Sequence, residues 1–129
     1  MNLDESTLPI PESTTKALAP SVRAYLCGHA QHSNPITYQA LAKELAIAPP
    51  NSIHKLTLAL EHLMAEDAQA QRPLIAALVI SKARGGLPAP GFFDCVQRLG
   101  CFDSEKGAAD FHAVEFERAI NYWRAALRD

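Results

Sequence analysis

Two stretches in the first half of the chain repeat apolar residues with a helical period. Tyr38, Leu41, Ala42 and Leu45 follow the i, i+3, i+4, i+7 spacing of an amphipathic helix. Thr37 is a good N-cap for it, and Ile36 is placed to staple onto Leu41. Ala48-Pro49-Pro50 breaks the helix, because proline restricts the residue before it and donates no hydrogen bond. Asn51 or Ser52 then caps a longer helix whose core face reads Ile53, Leu56, Leu60, Leu63 and Met64. Two helices joined by so tight a break make a helix-turn-helix pattern. Upstream, a first helix is expected from about Ala19, with Pro20 in its opening turn and Val22, Tyr25 and Leu26 on one side. It runs out between Gly28 and Ser33, and Asn34-Pro35 marks a turn.

Downstream the pattern changes. Leu74 to Ile80 is a seven-residue apolar run behind Pro73, which reads as a buried strand. Ser81 to Gly86 is a turn with two glycines, and Leu87 to Gly91 carries two prolines, so this arm is an edge strand or an extended loop. Phe92 to Leu99 reads as a short helix ended by Gly100. Asp103 or Ser104 is the expected cap of a last helix with a stripe of Ala109, Ala113, Phe116, Ile120, Trp123 and Leu127. This order predicts a mainly α fold: a winged-helix-like helix-turn-helix with a small β-wing, its tip at residues 81–86, and a C-terminal helical extension. Residues 1–13, acidic and without helical period, are expected to be a flexible tail. Residues 14–92 then form the winged-helix-like unit, and 93–129 the extension packed on the same core.

Composition supports helices. Among 129 residues there are 22 Ala and 15 Leu, but only 11 Val and Ile together, which disfavours a sandwich or barrel. Lys and Arg number 12 against 14 Asp and Glu. Three of the acids (Asp4, Glu5, Glu12) precede residue 14, so the remainder holds 12 bases against 11 acids. A dedicated nucleic-acid binder usually has a clear basic excess, so any such contact here must come from a local patch. There is no long apolar run and no basic-then-apolar start, so the expectation is a cytoplasmic protein that does not enter a membrane.

The candidate chemistry is sparse. Cys27, Cys95 and Cys101 are odd in number and form no CxxC, which indicates neither a disulfide framework nor a zinc knuckle. Cys27, His29 and His32 do not align on one helical face, so they read as a buried thiol beside surface histidines, and no metal or cofactor is expected. Cys95 with His112 has the composition of a nucleophile–base pair, but the apolar setting of Cys95 favours an inert thiol. No phosphate loop, HExxH or G-x-S-x-G is present, and the chain is expected to act without catalysis. Asn51, Ser52, His54 and Lys55 at the start of the second helix could meet phosphates or base edges, with Lys82 and Arg84 gripping from the wing. Leu58 and Glu61, apolar and acidic, weigh against deep insertion of that helix. The alternative to double-stranded DNA is a protein partner or homodimer, meeting Leu58 and an apolar pair, Phe111 and Tyr122, off the main stripe of the last helix. The Phe92–Phe102 segment folding over that pair is the simpler expectation.

Ile36-Thr37-Tyr38 with Leu41-Ala42, a second helix, and an apolar strand leading to Gly85-Gly86-Leu87 resemble the winged-helix domain of O6-alkylguanine-DNA alkyltransferases and alkyltransferase-like proteins. The likeness spans about residues 35–92. In the transferases the strand region carries Pro-Cys-His-Arg, whose cysteine accepts the alkyl group; here the matching residues are Ile75-Ala76-Ala77-Leu78. The resemblance therefore implies the fold and DNA binding while excluding alkyl transfer by that mechanism. Alkyltransferase-like proteins extrude a damaged nucleotide with an arginine of the second helix, but residues 52–65 contain no Arg and only Lys55 as a base. Gly86-Leu87-Pro88 with Gly91-Phe92 also resembles uncharacterised bacterial winged-helix proteins.

Overall fold

The computed structural model describes residues 10–101 and 107–126. Helix α1 (Glu12–His29) packs along α3 (Ser52–Gln69), while α5 (Ala108–Ala126) closes against α1 and against two 3-10 turns, Ala30–His32 and Ile75–Leu78. Shorter helices α2 (Tyr38–Glu44) and α4 (Pro90–Arg98) also pack on α3. Strands β1 (Ile36–Thr37) and β2 (Val79–Ile80) pair in parallel, Ile36 opposite Val79 and Thr37 opposite Ile80. The fold is mainly helical. Leu26, Leu41, Leu56, Leu63, Met64, Ile75 and Leu78 are its largest fully enclosed apolar side chains.

Helix α1 begins at Glu12, ahead of the expected Ala19, and Pro20 lies inside it. An interior proline costs a helix about 3 kcal/mol. Here Ala19 and Val22 are buried around it and Leu18 packs on the core, so burial along α3 outweighs the missing hydrogen bond. Glu12 and Ser13, expected in the tail, are helical; positions 1–9 lie outside the described residues. Helix α2 is capped as its sequence suggests, with the Ala40 amide donating to Thr37 Oγ1 at 3.1 Å. Before α3, Asn51 makes its turn through a left-handed backbone, φ 61°, and its side chain makes no cap hydrogen bond. Ile53, expected in the core, stands 38% exposed on the first turn of α3.

The run from Leu74 to Ile80 is not the expected continuous strand. Residues 75–78 form a 3-10 turn, and only Val79 and Ile80 are extended in a sheet. The reason lies in where its polar backbone goes. The Leu74 amide donates to Glu115 Oε2 at 2.7 Å and the Ile75 amide to Asp67 Oδ2 at 3.0 Å. The Ala77 carbonyl meets His112 Nε2 at 2.9 Å, and the Pro73 carbonyl accepts from Trp123 Nε1 at 2.9 Å. Side chains of α3 and α5 thus supply partners that a neighbouring strand would otherwise provide.

The small β-wing also differs from expectation. Strand β2 pairs with β1, and Leu87–Gly91 contributes no strand; the Ser81 amide bonds the Leu87 carbonyl at 2.8 Å and the Gly86 amide the Ser81 carbonyl at 3.4 Å, closing the loop after β2. Helix α4 starts at Pro90 and ends as expected at Gly100 (φ 75°), whose amide bonds the Gln97 carbonyl while the Cys101 amide reaches Val96. Asp103, Ser104 and Leu127 lie outside the described residues. On α5 the buried stripe includes His112 and Glu115 with Ala119, Ile120 and Trp123, whereas Ala109 and Ala113 are exposed. The first half of the helix is turned so that polar side chains reach the 73–77 backbone.

Asp67 is fully enclosed. Arg72 Nε donates to its Oδ1 at 2.7 Å. Arg23 Nη1 lies 2.9 Å from the same oxygen but off the hydrogen-bond direction, so that contact is coulombic. Both guanidinium groups sit over the Trp123 ring, 4.9 and 5.3 Å from its centroid. Removing a buried carboxylate from such a group leaves uncompensated charge. Asp67→Ala is expected to lose about 3–5 kcal/mol in urea unfolding, and a loss under about 1 kcal/mol would show the network to be dispensable.

Burial holds the His112 imidazole below its ordinary pKa, against the smaller opposing effect of its bond to the Ala77 carbonyl. The unfolded chain therefore binds a proton here that the folded one resists. This contribution to stability is complete above pH 6.5, the ordinary histidine value, and is lost as the pH falls towards the lower folded pKa. The urea midpoint should fall below that pH in the native protein, and the fall should be smaller in His112→Gln.

Candidate nucleic-acid interface

The α2–α3 connection is locked by its own polar groups. The Ile47 amide bonds the Ala42 carbonyl, and Ala46 takes a left-handed φ of 52° to let the chain turn. From α3, Ser52 Oγ donates to the Ile47 carbonyl at 3.2 Å and Lys55 Nζ to the Ala48 carbonyl at 3.0 Å. Two of the four residues singled out on this helix thus build the turn, although an ammonium has further N–H groups to offer. His54 is exposed, and Asn51 is half-buried.

Residues 81–86 form a compact basic turn. A 3-10 helix, Lys82–Arg84, is closed by bonds from the Arg84 amide to the Ser81 carbonyl (3.1 Å) and from the Gly85 amide to the Lys82 carbonyl (3.3 Å). Gly85 (φ 66°) and Gly86 (φ 94°) supply the left-handed positions. Lys82 and Arg84 are exposed. The parallel pairing of β1 with β2 sets this turn beside the start of α2, where Tyr38 Oη accepts from the Ala89 amide at 3.0 Å. Burial pushes the Tyr38 phenol pKa up, and the Ala89 amide and Arg84 charge pull against it.

Ion pairing sorts the bases by position. Lys16, Arg23, Arg72, Arg98 and Arg118 each face a carboxylate. Arg124 is held by the Ser33 hydroxyl. Among the described residues Lys43, Lys55, Lys82, Arg84 and Arg124 form no ion pair. The first four lie on α2, the first turn of α3 or the basic turn; Arg124 lies apart from them on α5. Lys43, exposed on the last turn of α2, was not among the sequence candidates; only the pairing of the other bases makes it notable.

Helix α4 covers part of the outward face of α3. Arg98 Nη2 donates to Glu61 Oε1 at 3.3 Å, and Gly91 lies beside the same carboxylate. Between them is a cavity of about 40 Å³ lined by Tyr38, Thr57, Leu60, Glu61, Met64, Ala76, Ala89, Gly91 and Phe92. Thr57 Oγ1 is spent on the Ile53 carbonyl at 2.9 Å. Leu58 is half-buried.

The other candidates are dispersed. Phe111 packs on the core 6.4 Å from the Phe92 ring, whereas Tyr122 is 45% exposed and Val114, on the same helix, 62%. His29 and His32 stand edge to face, His29 stacking on Tyr25, while Cys27 is buried. No group of three or more metal-ligating side chains occurs among the described residues. Cys95 and His112 are both buried, and Nε2 of the imidazole meets the Ala77 carbonyl. Burial raises the Cys95 thiol pKa, with Glu61 adding to the effect and Arg98 opposing it. A high-pKa enclosed thiol is a poor nucleophile. A thiol-specific reagent at neutral pH should modify exposed Cys101 first, with Cys27 and Cys95 reacting only on unfolding; rapid labelling of Cys95 would contradict this.

No protein-family model, no curated protein and no solved structure matches this chain significantly. No helix among the described residues is long and apolar enough to cross a membrane.

Proposed function

We propose that this chain is a non-catalytic, winged-helix-like protein that binds double-stranded DNA through the α2–α3 turn and the basic turn at residues 82–84. The observation that carries the reading is the segregation of bases. Carboxylates face the cationic side chains of α1, α4 and the buried network, while among the described residues Lys43, Lys55, Lys82 and Arg84, clustered near the α2–α3 turn and the basic turn, form no ion pair; Arg124 of α5 is the unpaired base away from this cluster. Phosphate neutralisation supplies most of the affinity of such contacts, so a local cluster serves even on a chain of net charge −2. Asn51, Ser52 and His54 add polar groups at the helix end. Ala76 occupies the position that the resemblance gives to an alkyl-accepting cysteine, and a methyl group there accepts nothing.

A second reading has one observation in its favour. Val114 and Tyr122 lie eight residues apart on α5 and are both exposed, which suits a protein partner or a second copy, with Leu58 adding to the apolar surface. Salt separates the two, since phosphate contacts weaken steeply with ionic strength and apolar ones hardly respond. Fluorescence anisotropy with a labelled mixed-sequence duplex should give binding at low salt that fades as salt rises. Lys82→Glu with Arg84→Glu should weaken it at least about tenfold, given two phosphate contacts turned repulsive. Unchanged affinity in that double variant would remove the basic turn from the interface, and no binding at low salt would defeat the DNA reading.

A further inference from the structure

Resting on the DNA reading just given, we infer that the interface addresses the phosphate backbone alone and binds duplex DNA without regard to base sequence, with Lys43 as a fourth phosphate contact. A helix that reads bases lies in the major groove and offers several outward side chains to base edges. Here the stretch of α3 that follows its first turn, from Thr57 to Glu61, is spoken for. Glu61 is held by Arg98 of α4, Thr57 bonds its own helix and lines the cavity, and Leu58 is apolar and half-buried. Helix α4 itself packs against this face. On the exposed first turn, Ile53 has no hydrogen-bonding group and Lys55 is tethered to the Ala48 carbonyl. His54 alone is exposed with a group that bonds a base, and one such group does not specify a site.

The bases, by contrast, are spaced to follow a backbone. Lys43 and Lys55 flank the α2–α3 turn, and Lys82 and Arg84 lie beside the start of α2. Helix α2 has seven residues, about 10 Å of axial length. The two pairs are thus set apart along α2, and among the described residues neither has a carboxylate partner. Glu44, next to Lys43, and Glu117 of α5, which lines a cavity with Ile80 and with Gly86 of the basic turn, limit the charge that this set presents.

Four phosphate contacts predict a slope of log affinity against log salt of about −3.6, a loss of about 150-fold between about 50 and about 200 mM salt. The test is anisotropy with the full chain and two short duplexes of equal length, one A·T-rich and one G·C-rich. The two dissociation constants should agree within about threefold, against the thousandfold or greater separation typical of a sequence reader. Lys43→Ala should reduce the slope by about 0.9 on both duplexes, while Lys16→Ala, which removes a base already paired with Glu12, should leave it unchanged. A difference above about tenfold between the duplexes would overturn sequence independence. An unchanged slope in Lys43→Ala would overturn the four-contact assignment. Failure of the native protein to bind either duplex at low salt would instead defeat the DNA reading itself.

Discussion

The backbone from Pro73 to Ala77 makes only a single 3-10 turn and joins no sheet, so side chains complete its remaining hydrogen bonds. Asp67 from α3, with Glu115, His112 and Trp123 from α5, take up its amides and carbonyls. Buried backbone groups left without partners cost free energy comparable to a lost hydrogen bond. Two carboxylates brought inward for this purpose need cations in turn, which Arg23, Arg72 and Arg118 supply. The charge pattern of half the molecule follows from that central requirement.

The proposed interface depends on it at one remove. With residues 74–78 anchored from both sides, β2 emerges beside β1 and delivers the basic turn next to the start of α2. The bases recruited to the interior carboxylates are spent there, whereas Lys43, Lys55, Lys82 and Arg84 on α2, α3 and the turn form no ion pair among the described residues. Helix α4, fixed by Phe92 in the core and by Arg98 on Glu61, covers the middle of the outward face of α3.

Much of the fold was legible in the residues. The Thr37 cap, the period of Leu56, Leu60, Leu63 and Met64, and the Gly100 stop are local signals, each completed within a few residues of itself. The misreadings share one cause. Pro20 looked like a helix start, Leu74–Ile80 like a strand, and Ala109 and Ala113 like core positions. In each case a residue distant in sequence alters the balance: α3 buries the flanks of Pro20, and Asp67 and Glu115 take the donors a strand would have paired. Asp67 falls on the core stripe of α3, four residues after Leu63 and three after Met64, but an acid there gives no local signal of burial. Its burial depends on Arg23, Arg72 and Ile75 converging on it, groups distant or beyond the helix that periodicity does not express. Of the interface, Lys55, Lys82 and Arg84 were visible as bases near turns; Lys43 became notable only through the pairing of the others.

Capping, periodicity and proline placement act over a few residues, so the residue order already set a mainly helical chain with a broken helix pair, a basic glycine turn and no excess of charge. Tertiary structure alone decided which polar groups turn inward, which strand pairs with which, and which bases remain unpaired. Those outcomes depend on groups far apart in the chain meeting in a medium where an unpartnered charge or amide is too costly to leave.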